Sequence, residues 1–218
     1  MKITLFGASG RTGRLVAARA LQAGHTVRAA VRSPEAFTQA LAHLAPGDLR
    51  DHVEVVRAEV TNHDEVSAAV QGAHAVVSVI GPTKSSPKGM MEEAARAIVA
   101  AMREHRVTRV IAMTGAGVRF PQDEPALLDR LIRFLLKTLQ PHVLNDSIRY
   151  VDTLTREDLE WTVVRGPMLH DKDPVGEYRV GYVGKGPGPR ASRGNVARFI
   201  VDELEARNYL NDAPMISD

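Results

Sequence analysis

Short apolar runs alternate along the chain with longer stretches in which apolar side chains recur every three or four positions. Ile3–Phe6, Thr26–Val31, Val53–Val56, Ala75–Ile80, Val107–Met113 and Trp161–Val164 read as strands. Ala75–Ile80 is apolar almost throughout, as a central parallel strand covered on both faces requires. Helical periodicity fills the intervals: Gly13 to Gly24, a stretch opened by Thr61-Asn62-His63-Asp64-Glu65, and Lys88–His105 with Met91, Ala94, Ala95, Ile98 and Met102 on one face. This alternation predicts an α/β fold, a Rossmann-like doubly wound parallel sheet with helices on both faces. A single domain over residues 1–218 is expected, with small substrate-side additions around 118–160 and 166–194. Within the first addition, Leu127–Leu139 predicts an amphipathic helix ended by Pro141, and Asn145-Asp146 stands where it could cap another. The ordinary reading is that these helices cover the sheet; the sharper one makes one of them a lid or a dimer surface.

Composition narrows the class without naming a function. The chain has 218 residues, 44% hydrophobic and 25% charged, with a net charge of +2, and it lacks the polybasic segment and interleaved aromatics of a nucleic-acid binder. There are no cysteines, so disulfides, thiolate catalysis and thiolate metal sites are excluded. The eight histidines show no metal-ligand spacing; His25, His43, His52 and His63 fall near element ends, and no metal is expected. No apolar run approaches the roughly twenty residues that span a bilayer. The expectation is a soluble cytoplasmic protein, monomer or homodimer, acting on a small molecule with no nucleic-acid or membrane partner.

The chemistry concentrates in the first strand–helix–strand unit. The run Ile3–Phe6 ends in Gly7-Ala8-Ser9-Gly10-Arg11-Thr12-Gly13, a GxxGxxG loop entering a helix. Gly7 permits a sharp turn, Gly10 a close approach of backbone to a pyrophosphate, and Gly13 tight packing of helix on sheet. The helix N-terminus offers unpaired N–H groups to an anion, with Ser9, Arg11 and Thr12 beside it. After the second strand stand Arg32 and Ser33, where an NAD-binding fingerprint has a carboxylate for the ribose 2′-OH. A guanidinium there grips a 2′-phosphate, so NADP(H) is expected over NAD(H), with Arg11 as a second contact. Ligands of such sheets bind beyond the carboxyl ends of the strands. That marks Glu59 and Val60 against adenine, Ile80 and Gly81 against the nicotinamide ribose, and the loops Gly81–Lys84, Thr114–Val118 and Pro167–Asp171, with Thr114 and Pro167 among the cofactor contacts.

The motifs ITLFGASGRTG, VRS, AVVSVIGPT, EAARAIVAAMREHRVTRVIAMT and GEYRVGYVGKGPGPRASRGNVARFIVDEL resemble the NAD(P)H-binding, NmrA-like branch of the atypical short-chain dehydrogenases over nearly the whole chain. Within that branch the similarity is to the NADPH-dependent flavin reductases of biliverdin-IXβ reductase type. It implies hydride transfer from NADPH to a flavin, quinone or similar flat conjugated acceptor, with flavin as substrate rather than prosthetic group. Two departures stand out against the resemblance: Gly115 replaces a serine beyond the fifth strand, and Met168 replaces a histidine after the sixth, with His170 two residues on. The Tyr-x-x-x-Lys dyad of short-chain dehydrogenases is also missing, because Leu154 follows Tyr150. Without a lysine to lower its pKa, a phenol is a poor acid at neutral pH, whereas a conjugated acceptor takes hydride without one. Thr114, Tyr150 and His170 are the candidate catalytic side chains. A non-catalytic NADP-binding redox sensor of the NmrA-like type is the alternative, and a sugar epimerase or dehydratase a more distant one.

Overall fold

In the computed structural model, described over residues 1–41, 51–83, 86–172 and 177–218, the predicted alternation is realised. Strands β1 (Lys2–Phe6), β2 (Thr26–Val31), β3 (Val53–Arg57), β4 (Ala75–Ser78), β5 (Arg109–Gly115) and β6 (Glu160–Gly166) run parallel. Helices α1 (Arg11–Gln22), α2 (Pro34–Leu41), α3 (His63–Val70) and α4 (Met90–Glu104) connect the first five; α5 (Leu127–Leu139) and α6 (Pro141–Thr155) lie between β5 and β6. Beyond β6 come β7 (Met168–His170), β8 (Arg179–Gly181), β9 (Arg190–Ser192), α7 (Arg193–Ala206) and β10 (Met215–Ser217). The main sheet has the order β3-β2-β1-β4-β5-β6-β10-β8, and β7 and β9 form a separate parallel pair. Among the described strands, only β8 is antiparallel to its neighbour. The four strands after β6 escape a pattern reading because three residues carry no periodicity.

Each sheet face buries its own core. On one side Val16, Ala17, Ala20 and Leu21 of α1 and Val196, Ile200 and Leu204 of α7 pack on Ile3, Leu5 and Val164. On the other, Met91, Ile98 and Met102 of α4 and Val151 and Leu154 of α6 pack on Phe6, Val76 and Val110.

Polar side chains close the helix ends inside this packing. Asn62 Oδ1 accepts from the amides of Asp64 and Glu65 and opens α3, and buried Arg28 on β2 closes it by donating to the carbonyls of Ala69 and Gln71 at 2.9 and 2.6 Å. Ser192 caps α7 through the Asn195 amide, as the tail motif anticipates. Asp146 corrects an expectation. It does not begin a helix, because Pro141 already opens α6; its carboxylate instead accepts from the Met91 and Glu92 amides at 3.2 and 3.1 Å, capping α4 from across the interface.

Helix α5 departs from the ordinary reading. It has no buried residue, and Leu127, Leu128, Leu131, Phe134 and Leu139 all stand more than half exposed. It does not cover the sheet; α6 does, through Leu144, Tyr150, Val151 and Leu154.

Replacing Asp146 with Ala leaves two amides of α4, one buried and one half-buried, without an acceptor. Chemical denaturation should show a loss of about 1–2 kcal/mol; unchanged stability would mean that α4 is capped in another way.

Candidate functional site

The carboxyl ends of β1, β2, β3 and β4 open onto a cleft of about 320 Å³. It lies where the strand order reverses, with β2 on one side of β1 and β4 on the other, the place at which open α/β sheets bind ligands. Gly7, Ser9 and Gly10 form its floor, Arg32 and Val31 one rim, Glu59, Val60 and Thr61 another, and Val79, Ile80 and Gly81 the side nearest β5. Most of the predicted cofactor contacts are therefore neighbours in space.

The glycine spacing has a steric cause. Gly7 has φ +81°, and a β-carbon there would come within 2.9 Å of Val79 O and Ile80 N, so the turns after β1 and β4 touch through backbone. A β-carbon on Gly13 would sit 2.0 Å from Gly7 O and 2.8 Å from Ala8 Cα. At Gly10 the nearest atom to such a carbon is Gly7 O at 3.2 Å; that position is exposed and faces the cleft. Gly10 is the N-cap of α1 without a side-chain bond, and no acidic residue occupies the first turn. The first helical amides therefore keep their unsatisfied donors and the positive end of the helix dipole. Such a terminus fits a pyrophosphate, and exposed Arg32 at the rim fits a further phosphate.

Other predicted residues lie elsewhere. Arg11 turns away from the cleft, and its guanidinium donates to Asp171 at 3.0 Å; Asp171 also accepts from Arg193 at 2.7 Å. In this arrangement Arg11 ties the glycine loop to the segment after β7 rather than making a second phosphate contact. Thr12 and Gly13 are buried beneath the loop, and Ser33 sits just past the rim, before α2. Thr114 is the next-to-last residue of β5, at 7% exposure and in register with Arg165, and Pro167 follows β6; both stand on the carboxyl edge beyond the cleft. A β-carbon on Gly115 would meet nothing within 4 Å, so β5 ends in open space. Lys84 and His43 lie outside the described residues.

Tyr150 is fully buried and donates to Ser78 Oγ at 2.7 Å. Burial raises its phenol well above the ordinary value of 10, and the Ser78 bond offsets only part of this. It is a core residue with no access to the cleft. His170 Nε2 lies 2.6 Å from Asp218 Oδ2. Burial pushes the Asp218 carboxyl up, but bonds from the Ser192 amide, Asn195 and His170 outweigh it and hold the group below its ordinary range. His170 thus helps fasten the C-terminus to β7 and β9.

Behind the β6 edge, fully buried Arg165 donates to Asp123 at 2.7 Å and to Ala213 O at 2.8 Å, with its guanidinium 5.2 Å from the Phe120 ring centre. The pair fixes the loop after β5. The outer wall of the cleft is formed by Thr83, Ser86, Pro87, Met90 and Glu93; the loop Gly81–Lys84 took in the first, and sequence reading missed the other four. Their one signal was the Pro- and Ser-rich run between β4 and α4, which marks a long loop but not which strand's loop it leans against.

The family model described as NAD(P)H-binding matches residues 7–207. The chain belongs to the NAD(P)H-binding family. Its matched span begins at Gly7 and ends just past α7, so it takes in the whole cleft. The chain is 25% identical over 223 residues to YwnB of Bacillus subtilis, covering 97% of this chain and 96% of that protein. Among solved structures, it is similar to a short-chain dehydrogenase/reductase from Veillonella parvula in complex with NADP (TM-score 0.76, 20% identity, 100% and 94% coverage). It is also similar to ChuY, an anaerobilin reductase from Escherichia coli O157:H7 (TM-score 0.75, 20% identity, 100% and 97% coverage). These two likenesses establish the fold, a mainly parallel sheet with helices on both faces.

Two glycine substitutions should separate the roles in the loop. Gly10→Val places its branches in the cleft, so NADPH titration should show binding lost while the thermal midpoint stays close to the parent's. Gly13→Val drives a side chain into the Gly7 backbone and should cost about 1–3 kcal/mol or more of stability. Normal NADPH binding by Gly10→Val would mean that the loop is not the phosphate site.

Proposed function

We propose that this member of the NAD(P)H-binding family is an NADPH-dependent reductase that passes hydride to a flat conjugated acceptor, a flavin, a quinone or a linear tetrapyrrole. The observation that carries the reading is the position of Tyr150. The one tyrosine near the dyad position is sealed in the core against Ser78, so the short-chain route to protonating an alkoxide is closed. An acceptor that spreads the incoming charge over a conjugated ring needs no such acid.

Bound NADPH would supply the hydride. The residues of this chain bind and orient: the α1 N-terminus and Gly10 take the pyrophosphate, Arg32 the 2′-phosphate, and Ile80 and Gly81 lie along the route toward β5. Past β5, Gly115 leaves room for a flat ring to stack, with Thr114 and Pro167 at its sides. The NADP complex of the Veillonella parvula protein and the reductase activity named for ChuY support the cofactor and the acceptor class.

NADPH should bind at least about tenfold more tightly than NADH, since a charge-assisted phosphate contact is worth about 1.5–3 kcal/mol. Arg32→Ala should remove most of that difference; equal affinity of the parent for both nucleotides would sink the assignment.

Hydride transfer should proceed without an essential protein acid. Single-turnover NADPH oxidation with FMN or a small soluble quinone should vary little between about pH 6 and 8, where a required histidine would titrate. His170→Ala and Thr114→Ala should each cost far less than the roughly 100-fold typical of a lost general acid. Tight NADPH binding with no turnover on any such acceptor would instead support a redox sensor.

A further inference from the structure

Helix α5 is turned inside out. Its half-buried positions are Asp129, Arg133 and Leu136, two of them charged, and its anchors are polar. Arg133 donates to Gly117 O at 3.2 Å, Arg119 to Asp129 O at 3.0 Å, and the Asp129 carboxylate accepts from the Ala126 amide at 2.9 Å. Facing solvent are Leu127, Leu128, Leu131, Phe134, Leu135 and Leu139, 46–82% exposed. An amphipathic helix that packs its polar stripe inward and leaves its apolar arc uncovered has a partner elsewhere.

Charge identifies the partner. From residue 130 to residue 145 the sequence holds Arg130, Arg133 and Lys137 and no Asp or Glu. Arg130 and Lys137, two turns apart on one flank of the apolar arc, are exposed and meet no carboxylate among the described residues. An antiparallel pairing of two copies sets each flank against its own counterpart, bringing Arg130 and Lys137 onto the same basic row. Anionic headgroups complement that row while the apolar arc enters the acyl boundary. No helix among the described residues is long and apolar enough to cross a membrane; this one has the build to lie on its surface.

We propose that α5 seats the protein on an anionic bilayer surface. The helix stands at the carboxyl edge of the sheet, because Leu136 and Leu144 close over Gly117, their methyl carbons 3.2 and 3.3 Å from where its β-carbon would be. On the reductase reading above, the surface also delivers the acceptor: a long-tailed quinone dissolved in the bilayer reaches the open end of β5 from the side that α5 touches.

The test is co-sedimentation of the full chain with sucrose-loaded vesicles, in the absence of nucleotide and acceptor. Vesicles of phosphatidylcholine alone are compared with a mixture of phosphatidylcholine and phosphatidylglycerol. The parent should bind the anionic vesicles roughly tenfold or more tightly, and added salt should weaken this. Arg130→Glu with Lys137→Glu should abolish the preference. Leu128→Gln, Leu131→Gln and Phe134→Gln together should abolish binding to both vesicles at an unchanged thermal midpoint, and should slow reduction of vesicle-borne quinone but not of a soluble one. Failure of the parent to bind anionic vesicles overturns the proposal, as does undiminished binding by the leucine and phenylalanine variant. A parent that is dimeric by light scattering, becomes monomeric in that variant and ignores vesicles would assign the face to a second copy. A chain that binds vesicles yet never turns over NADPH keeps the docking face and loses the reductase reading; one that reduces soluble quinone yet ignores vesicles does the reverse.

Discussion

A β-carbon on Gly13 would sit 2.0 Å from the Gly7 carbonyl oxygen, so α1 can begin where it does only because these positions carry no side chains. That contact sets the height of α1 against the end of β1. It leaves the first amides of the helix pointing along the floor of the cleft, and it lets the turn after β1 touch the backbone after β4. The reversal of strand order between β2 and β4 then supplies the walls. The cleft, the uncapped helix start that faces it and its placement beside β5 all follow from one close approach of backbone to backbone.

Buried charges hold the layers around that cleft. Arg28 closes α3 from a strand, Asp146 opens α4 from a neighbouring helix, and Arg165 binds the loop after β5 through Asp123. Each satisfies several backbone groups or a full opposite charge, which offsets the desolvation that an isolated buried ion would suffer. The Asp123 carboxyl shows the balance: burial pushes it up, yet the Arg165 guanidinium and the Phe120 amide hold it below its ordinary range. Removing one member of such a pair is costlier than the pair is stabilising. These residues therefore behave as structural fixtures around the cleft without lining it.

Helix α5 is an exception, since Asp129 and Arg133 face the protein while most of its apolar residues face solvent. The same edge of the sheet carries Gly115, open above, and Thr114, buried beside Arg165 of β6. Reductase chemistry and surface docking would thus share one end of the molecule, separated by the loop that Arg165 and Asp123 fix.

Much of the fold and most of the lining of the candidate cleft were legible in the sequence. Apolar runs and helical periodicity are local properties, and they placed β1 to β6, α1, α3, α4 and α5 within a few residues. The GxxGxxG spacing is equally local, because it encodes the geometry of one turn and one helix start, and Arg32 is located by its distance from that turn. Direction was not legible. Whether Arg11 faces the cleft or Asp171, whether Tyr150 faces a substrate or Ser78, and whether the apolar arc of α5 faces the sheet or solvent depend on partners 160, 72 and 10–16 residues away. The same holds for Asp146, whose carboxylate caps a helix 54–55 residues earlier in the chain. A pattern fixes which side chains share a face; only the packed neighbours decide what that face meets.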